Sequence, residues 1–295
     1  MKNSFYSIGK EVVQAEINAL KNLKKLINKD FDKIVNAIIK CKGKIIFSGV
    51  GKSGIISKKI SSTFCSIGIS SFYVDAGSCS HGDLGVIQSG DIVVLISHSG
   101  ESEELKNIIQ YVKRNKILLI GIVSKKDSIL FNASDIKILI PKVKEAGGIV
   151  PTSSTTSQLA MGDALSIASM HYKKFGKLDF KKFHPSGNLG NKLKTAGDLM
   201  LIKKRIPFVN ENETMSKALK ILNLKKLGFL VVINNHGINT GIFTDGDLKR
   251  LMQKKKKISN FKIKFFMTKK PYTVEENTLA SELLLEMNKR KITSV

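Results

Sequence analysis

Between residues 10 and 40, apolar side chains recur at helical spacing: Val12, Val13, Ile17, Leu20, Leu23 and Ile27, then Phe31, Ile34 and Ile38. A 3.6-residue period of this kind predicts two amphipathic helices. The pattern then changes. Short, largely apolar and β-branched runs at 44–48, 71–74, 92–96, 117–123 and 136–140 alternate with helical patterns at 53–67, 103–114 and 155–172. Alternation of this sort predicts an α/β fold, a parallel sheet with helices on both faces, and places ligands at the C-terminal ends of the strands.

A second unit begins near Ala196, after the turn-rich Pro185-Ser-Gly-Asn-Leu-Gly190, and contains an internal repeat. Asp198-Leu-Met200, Ile206-Pro-Phe-Val-Asn-Glu-Asn-Glu-Thr214 and a helix resemble Phe266-Met267, Pro271-Tyr-Thr-Val-Glu-Glu-Asn-Thr278 and a helix. The first copy continues into a strand at 229–233 and then Gly241-Ile-Phe-Thr-Asp-Gly-Asp-Leu248. The second reaches Ile292-Thr-Ser-Val295 where its matching strand is due, so it reads as incomplete. At 295 residues the chain can hold two domains, each with its own core.

Three stretches rich in Gly, Ser and Thr each follow an apolar run and lead into a helix: Gly49-Val-Gly-Lys-Ser-Gly54, Ser97-His-Ser-Gly-Glu-Ser102 and Pro151-Thr-Ser-Ser-Thr-Thr-Ser157. Hydroxyls and the unpaired amides at a helix start bind phosphate well. Three such loops imply one anion held from several sides, and hence a small phosphorylated ligand. The net charge of +25 would ordinarily suggest nucleic acid or a membrane surface as partner. However, Arg114, Arg205, Arg250 and Arg290 are the only arginines, and the lysines are spread along the chain. Base and phosphate reading favours Arg, so neither a nucleic-acid nor a membrane partner is expected; the lysine run at 254–257 reads as solvated loop. The longest apolar run, 117–123, is too short to span a bilayer, and the N-terminus lacks the apolar stretch of a secretion signal. Cys41, Cys65 and Cys79 are widely spaced and read as free, apolar filler, which together with the missing signal points to the cytoplasm.

Other readings compete for these loops. Gly49-Val-Gly-Lys-Ser-Gly54 satisfies G-x-G-x-x-G after a strand, and Asp75 follows about twenty residues on, which is the fingerprint of a nicotinamide dinucleotide site. That reading leaves the other two loops without a role and puts the charge of Lys52 where a pyrophosphate normally meets backbone. A P-loop would need Gly where the chain has Ile46. The second and third loops also read as ordinary helix caps, with Glu103 and Glu104 favoured in a first turn. His81 and His184 lie in glycine-containing turns without packing duties, whereas His98, His171 and His236 read as ordinary hydrogen-bonded residues. Glu145 follows the last strand of the sheet, near the loops.

Taken in order, Gly49-x-Gly-Lys-Ser-Gly54, Ser80-His-Gly-Asp-Leu-Gly85, Ser99-Gly-Glu-Ser102, Lys144-Glu-Ala146, Pro151 to Thr156 with Met161-Gly-Asp-Ala-Leu165, and His184-Pro closely resemble the arabinose-5-phosphate isomerases. In that family a sugar-isomerase (SIS) domain precedes a pair of CBS repeats. The resemblance implies an SIS domain over 1–190, a first CBS repeat over 197–256 and an incomplete second over 262–295. It further implies interconversion of D-ribulose 5-phosphate and D-arabinose 5-phosphate, feeding Kdo and lipopolysaccharide synthesis, in a homotetramer whose sites draw residues from neighbouring subunits. Carried over by position, the catalytic groups are Lys52, His81, Glu104, Glu145 and His184. Ser53, Ser97, Ser99, Ser102, Thr152, Ser153, Ser154, Thr155 and Thr156 become the phosphate and sugar ligands. Glu104 is expected to move the proton and His184 to serve oxygen protons or ring opening, with Lys52 and His81 stabilising the enediolate and Glu145 orienting or sharing the acid–base work. Relatives carry a metal-associated His in the segment reading Asp75-Ala-Gly-Ser78 here; with Asp75 in its place, no metal and no cofactor are expected. The CBS pair implies a nucleotide or nucleotide-sugar regulator. SIS domains also occur in phosphosugar-sensing transcription factors, but the residues ahead of the first strand leave little room for a DNA-binding module.

Overall fold

In the computed structural model, which describes residues 4–184, 193–253 and 258–295, Ser4 accepts the amide of Ser7 to start α1 (Phe5–Leu26). Asn28 likewise accepts the amide of Asp30 to start α2 (Lys29–Lys40). Such caps satisfy amides that have no partner inside the helix. The rest of the first unit, Met1–His184, alternates strand and helix. It runs β1 (Ile45–Gly49), α3 (Lys52–Ser66), β2 (Ser71–Tyr73), α4 (Ala76–Cys79), β3 (Ile92–Ser97), α5 (Glu104–Arg114), β4 (Leu118–Val123), α6 (Ile129–Ala133), β5 (Ile136–Leu139), α7 (Ser153–Tyr172) and α8 (Lys177–Phe183).

All five strands are parallel, in the order β2-β1-β3-β4-β5. Successive strand residues point to opposite faces. Ile45, Phe47, Val94, Ile96, Ile120 and Ile122 pack with Ile60 and Phe64 of α3 and with Met161 and Leu165 of α7. Ile46, Val93, Leu95 and Leu119 pack on the other face with Leu105 and Ile108 of α5. Burial on both faces is why these strands are apolar throughout instead of alternating. The strand order reverses between β1 and β3, which pair as far as Gly49 and Ile96; the chain then leaves β1 for α3 on one face and β3 for α5 on the other, opening the crevice where such sheets bind ligands.

The second unit, Pro185–Val295, holds α9 (Ala196–Leu199), β6 (Phe208–Asn210), α10 (Met215–Lys225), β7 (Phe229–Ile233), β8 (Asn239–Thr244), α11 (Asp245–Gln253), β9 (Thr268–Lys269) and α12 (Ala280–Arg290). Its sheet runs β6-β7-β8-β9, the first pair parallel and the others antiparallel. The internal repeat is visible as an exchange of backbone bonds. Thr195 bridges Leu279 ahead of α12, and Lys262 bridges Thr214 ahead of α10. Both helices end on a lysine in the left-handed region, Lys226 and Lys291. The turn-rich residues 185–190 and the lysine run 254–257 lie outside the described residues. No described helix is long and apolar enough to cross a membrane.

Candidate active site

The first loop turns from β1 into α3 through Gly51, whose φ of +58° suits glycine. A Cβ on Gly54 would sit 2.6 Å from the Gly49 carbonyl oxygen, so the glycine pattern here serves the close approach of α3 to β1. Lys52 is the first residue of α3 and is exposed; Ser53 is half-buried beside it. No side chain caps this helix, which leaves its positive end facing the crevice.

Asp75, which a dinucleotide site would use on a ribose, is instead the N-cap of α4. It accepts from the Ser78 amide at 3.0 Å and the Ser78 hydroxyl at 3.3 Å. The Ser78 amide is the main influence holding its carboxyl below the ordinary value. Among the described residues no group of three or more His, Cys, Asp or Glu is placed to hold a metal ion. Cys79 at the end of α4 is buried, and burial, with Asp83 and Asp75 adding to it, pushes its thiol up to about 11. Cys79 therefore offers no thiolate at neutral pH.

The second loop closes β3. Ser97 is buried and its Oγ accepts from the Gly100 amide at 3.0 Å and lies 3.3 Å from Ser102 Oγ. Ser99 Oγ accepts from the Glu101 amide at 3.2 Å. The loop is fastened from behind by residues that follow β4. The amide and hydroxyl of Ser124 both donate to the His98 carbonyl, at 3.1 and 2.8 Å, and Gly100 lies against Ser128 with no room for a side chain. Lys125 pairs with Glu101 at 3.2 Å. The sequence reading assigned nothing to Ser124 or Ser128, because only the pairing of β3 with β4 brings them here. Glu104, exposed, begins α5, whose N-terminus no side chain caps.

The third loop differs from the other two because its helix start is already occupied by an anion. Glu145 Oε2 accepts from the Thr152 amide at 2.8 Å, the Thr152 hydroxyl at 3.2 Å and the Ser154 amide at 3.2 Å. Burial works to raise the proton affinity of Glu145, but the bonds from Ser154 and Thr152 outweigh it and hold the carboxyl below its ordinary value. With this cap α7 starts at Ser153, two residues before the start predicted from periodicity. Thr155 and Ser157 turn their hydroxyls back onto the carbonyls of Thr152 and Ser153. Ser154 is buried and Thr156 half-buried, while the buried Ser153 Oγ has no partner.

His81 is exposed in the turn after α4, on a segment tied to α5. His184 lies elsewhere. It stacks on Phe180 with ring centroids 3.7 Å apart, and its Nδ1 is 3.0 Å from the Phe180 carbonyl oxygen. The neighbouring Phe183 packs on Gly68, just past the end of α3. Lys52 stands at the other end of that 15-residue helix, which at 1.5 Å per residue spans about 22 Å. One chain therefore brings Lys52, Ser53, Ser97, Ser99, Ser102, Glu104, Glu145 and Thr152–Thr156 to the C-terminal edge of the sheet, with His81 beside α5. It leaves His184 at the opposite edge.

A five-stranded parallel sheet with hydroxyl-bearing loops at its switch point, followed by a repeat unit, defines the class: residues 38–168 match the SIS domain and residues 196–254 the CBS domain. An arabinose 5-phosphate isomerase KdsD of Yersinia pestis is 42% identical over 99% of this chain and 90% of its own length. The KdsD of Escherichia coli K12 is 39% identical with the same coverage. A solved Escherichia coli CFT073 protein in complex with arabinose 5-phosphate is 34% identical, covers 62% of this chain and 100% of its own, and superposes with a TM-score of 0.57. The chain belongs to the arabinose 5-phosphate isomerase family.

Proposed function

We propose that the first unit interconverts D-ribulose 5-phosphate and D-arabinose 5-phosphate through an enediolate. The observation that carries this reading is the crevice between β1 and β3, where two helix starts without side-chain caps present Lys52 and Glu104 beside Ser53, Ser97, Ser99 and Ser102. The arabinose 5-phosphate bound in the related Escherichia coli protein supports the substrate. The phosphate belongs with the hydroxyls and amides of the first two loops, where helix ends favour an anion. The Thr152–Thr156 loop, its own helix start filled by Glu145, meets the sugar.

Moving a carbonyl between C1 and C2 requires a base for the proton beside it and groups that hold charge on the two oxygens. Glu104 takes the C2 proton of the aldose and returns it to C1 of the ketose. Lys52 and His81 stabilise the enediolate oxygens, and Glu145 orients the third loop. His184, at the far end of α3 in its own chain, serves the ring oxygen of a site on another copy, which supports a homo-oligomer, a tetramer as in the family. The reaction needs no metal or cofactor. The protein works in the cytoplasm and supplies Kdo synthesis, with the CBS unit left to a nucleotide or nucleotide-sugar regulator. Replacing Glu104 by Gln is expected to lower kcat by roughly 10²–10⁴-fold, the usual worth of a positioned base, with KM changed little. A Glu104→Gln enzyme that keeps most of its kcat overturns the assignment.

A further inference from the structure

The segment that carries His81 is held to α5 by two side chains. Asn107 Nδ2 donates to Ser80 Oγ at 2.8 Å, and the Tyr111 hydroxyl donates to the Ile87 carbonyl at 3.2 Å. Glu104, Asn107 and Tyr111 follow one another at spacings of three and four residues, so they form one strip along the helix. Two members of the strip grip the two ends of residues 80–87. The third, Glu104, stands one turn nearer the helix start, and therefore on the side of α5 that faces this segment.

Ser80 directly precedes His81. Its amide bonds to the Gly77 carbonyl at 3.1 Å, the His81 amide bonds to the Ser78 carbonyl at 2.9 Å, and the chain then turns through Gly82 at φ +116°. These bonds fix the turn to α4 alone. The side-chain bond from Asn107 is what ties it to the helix bearing Glu104, next to the imidazole. His81 itself is exposed and packs in no core; Cys79 and Ile87 on either side of it pack with Leu105 and Ile108 of α5, and the Asn107 bond is the tie made beside the imidazole itself.

We infer that Asn107 is a positioning residue for the reaction: its hydrogen bond to Ser80 sets the His81 imidazole against Glu104 while charge develops on the substrate oxygens. This rests on the reading that Glu104 and His81 act together. Ser80 and Asn107 are both exposed and neither side chain belongs to the core that α5 forms with Cys79 and Ile87, so loss of their bond acts on turnover and leaves folding intact. An amide donor also keeps this position neutral; a carboxylate at 107 could accept from Ser80 but would add charge beside Glu104 and raise its proton affinity.

The test compares Asn107→Ala and Ser80→Ala, alone, together and on a His81→Ala background, by steady-state kinetics with thermal melts as control. Each single variant is expected to melt like the parent and to lose roughly 3- to 10-fold in kcat, in keeping with one ordinary hydrogen bond, with KM within about twofold. The double variant is expected to be no worse than either single one. On the His81→Ala background Asn107→Ala is expected to have no further effect, whereas Asn107→Asp moves the acid limb of the pH–kcat profile to higher pH. An unchanged kcat in Asn107→Ala, or the same fractional loss with and without His81, overturns the inference and leaves the isomerase reading standing. If His81→Ala itself keeps full activity, the site reading falls and this inference falls with it.

Discussion

Glu145 is held at the start of α7 by the amides of Thr152 and Ser154, and that fixes what it can do. A carboxylate whose charged form is hydrogen-bonded gives up its proton early and is a weak base at neutral pH. Under the proposed function the base role therefore belongs to Glu104 and not to Glu145. Because the folded-state value of Glu145 lies below the unfolded one, its contribution to stability is present above about pH 4.3 and is lost as pH falls through the folded value. Glu145→Gln is therefore expected to lower stability at pH 7 by about 1–2 kcal/mol in urea denaturation. It should also flatten the fall in stability below about pH 4.3. Unchanged stability at pH 7 would show that the cap contributes nothing. Sequence placed Glu145 near the loops but could not give it this job, because its partners lie seven and nine residues on, across a glycine turn with no periodic signature.

The strands β1, β3 and β4 and the helix α5 were legible because each carries a sustained apolar pattern that matches its burial, whereas β2, with no buried residue, and α7, whose buried face is mostly serine, were legible from the alternation of elements around them. The short helix α4 and the 80–87 segment were not, since four residues are too few for a period, and their shape comes from the Asp75 cap and the grip of α5. His184 was legible as a chemically apt residue but not as a distant one: its position follows from Phe183 of α8, stacked with Phe175, packing at the end of α3. Elements that carry the site also depend on one another. α3 and α7 cross at Gly162, where a Cβ would overlap the Ile60 side chain. Gly162→Ala is expected to cost about 1–3 kcal/mol in denaturant melts, the usual penalty for overpacking, and Ile60→Val is expected to recover part of it. A Gly162→Ala protein as stable as the parent would mean that the crossing has slack.

Across the chain, the charge of +25 is a lysine background that draws anionic substrates toward the molecule without specifying them. Under the proposed function specificity belongs to the crevice of the first unit; the second unit carries its own sheet and core around Leu222, Leu230, Val232 and Phe243. The internal repeat was legible because both copies share their polar turns, and the exchange of bonds between Thr195, Leu279, Lys262 and Thr214 is its structural counterpart. The most direct measurement is to incubate the protein with D-ribulose 5-phosphate and with other pentose and hexose phosphates, with and without a chelator, and follow aldose formation. D-arabinose 5-phosphate is expected from D-ribulose 5-phosphate at the same rate whether or not chelator is present. No conversion of any phosphosugar would contradict the assignment of this crevice to aldose–ketose isomerisation.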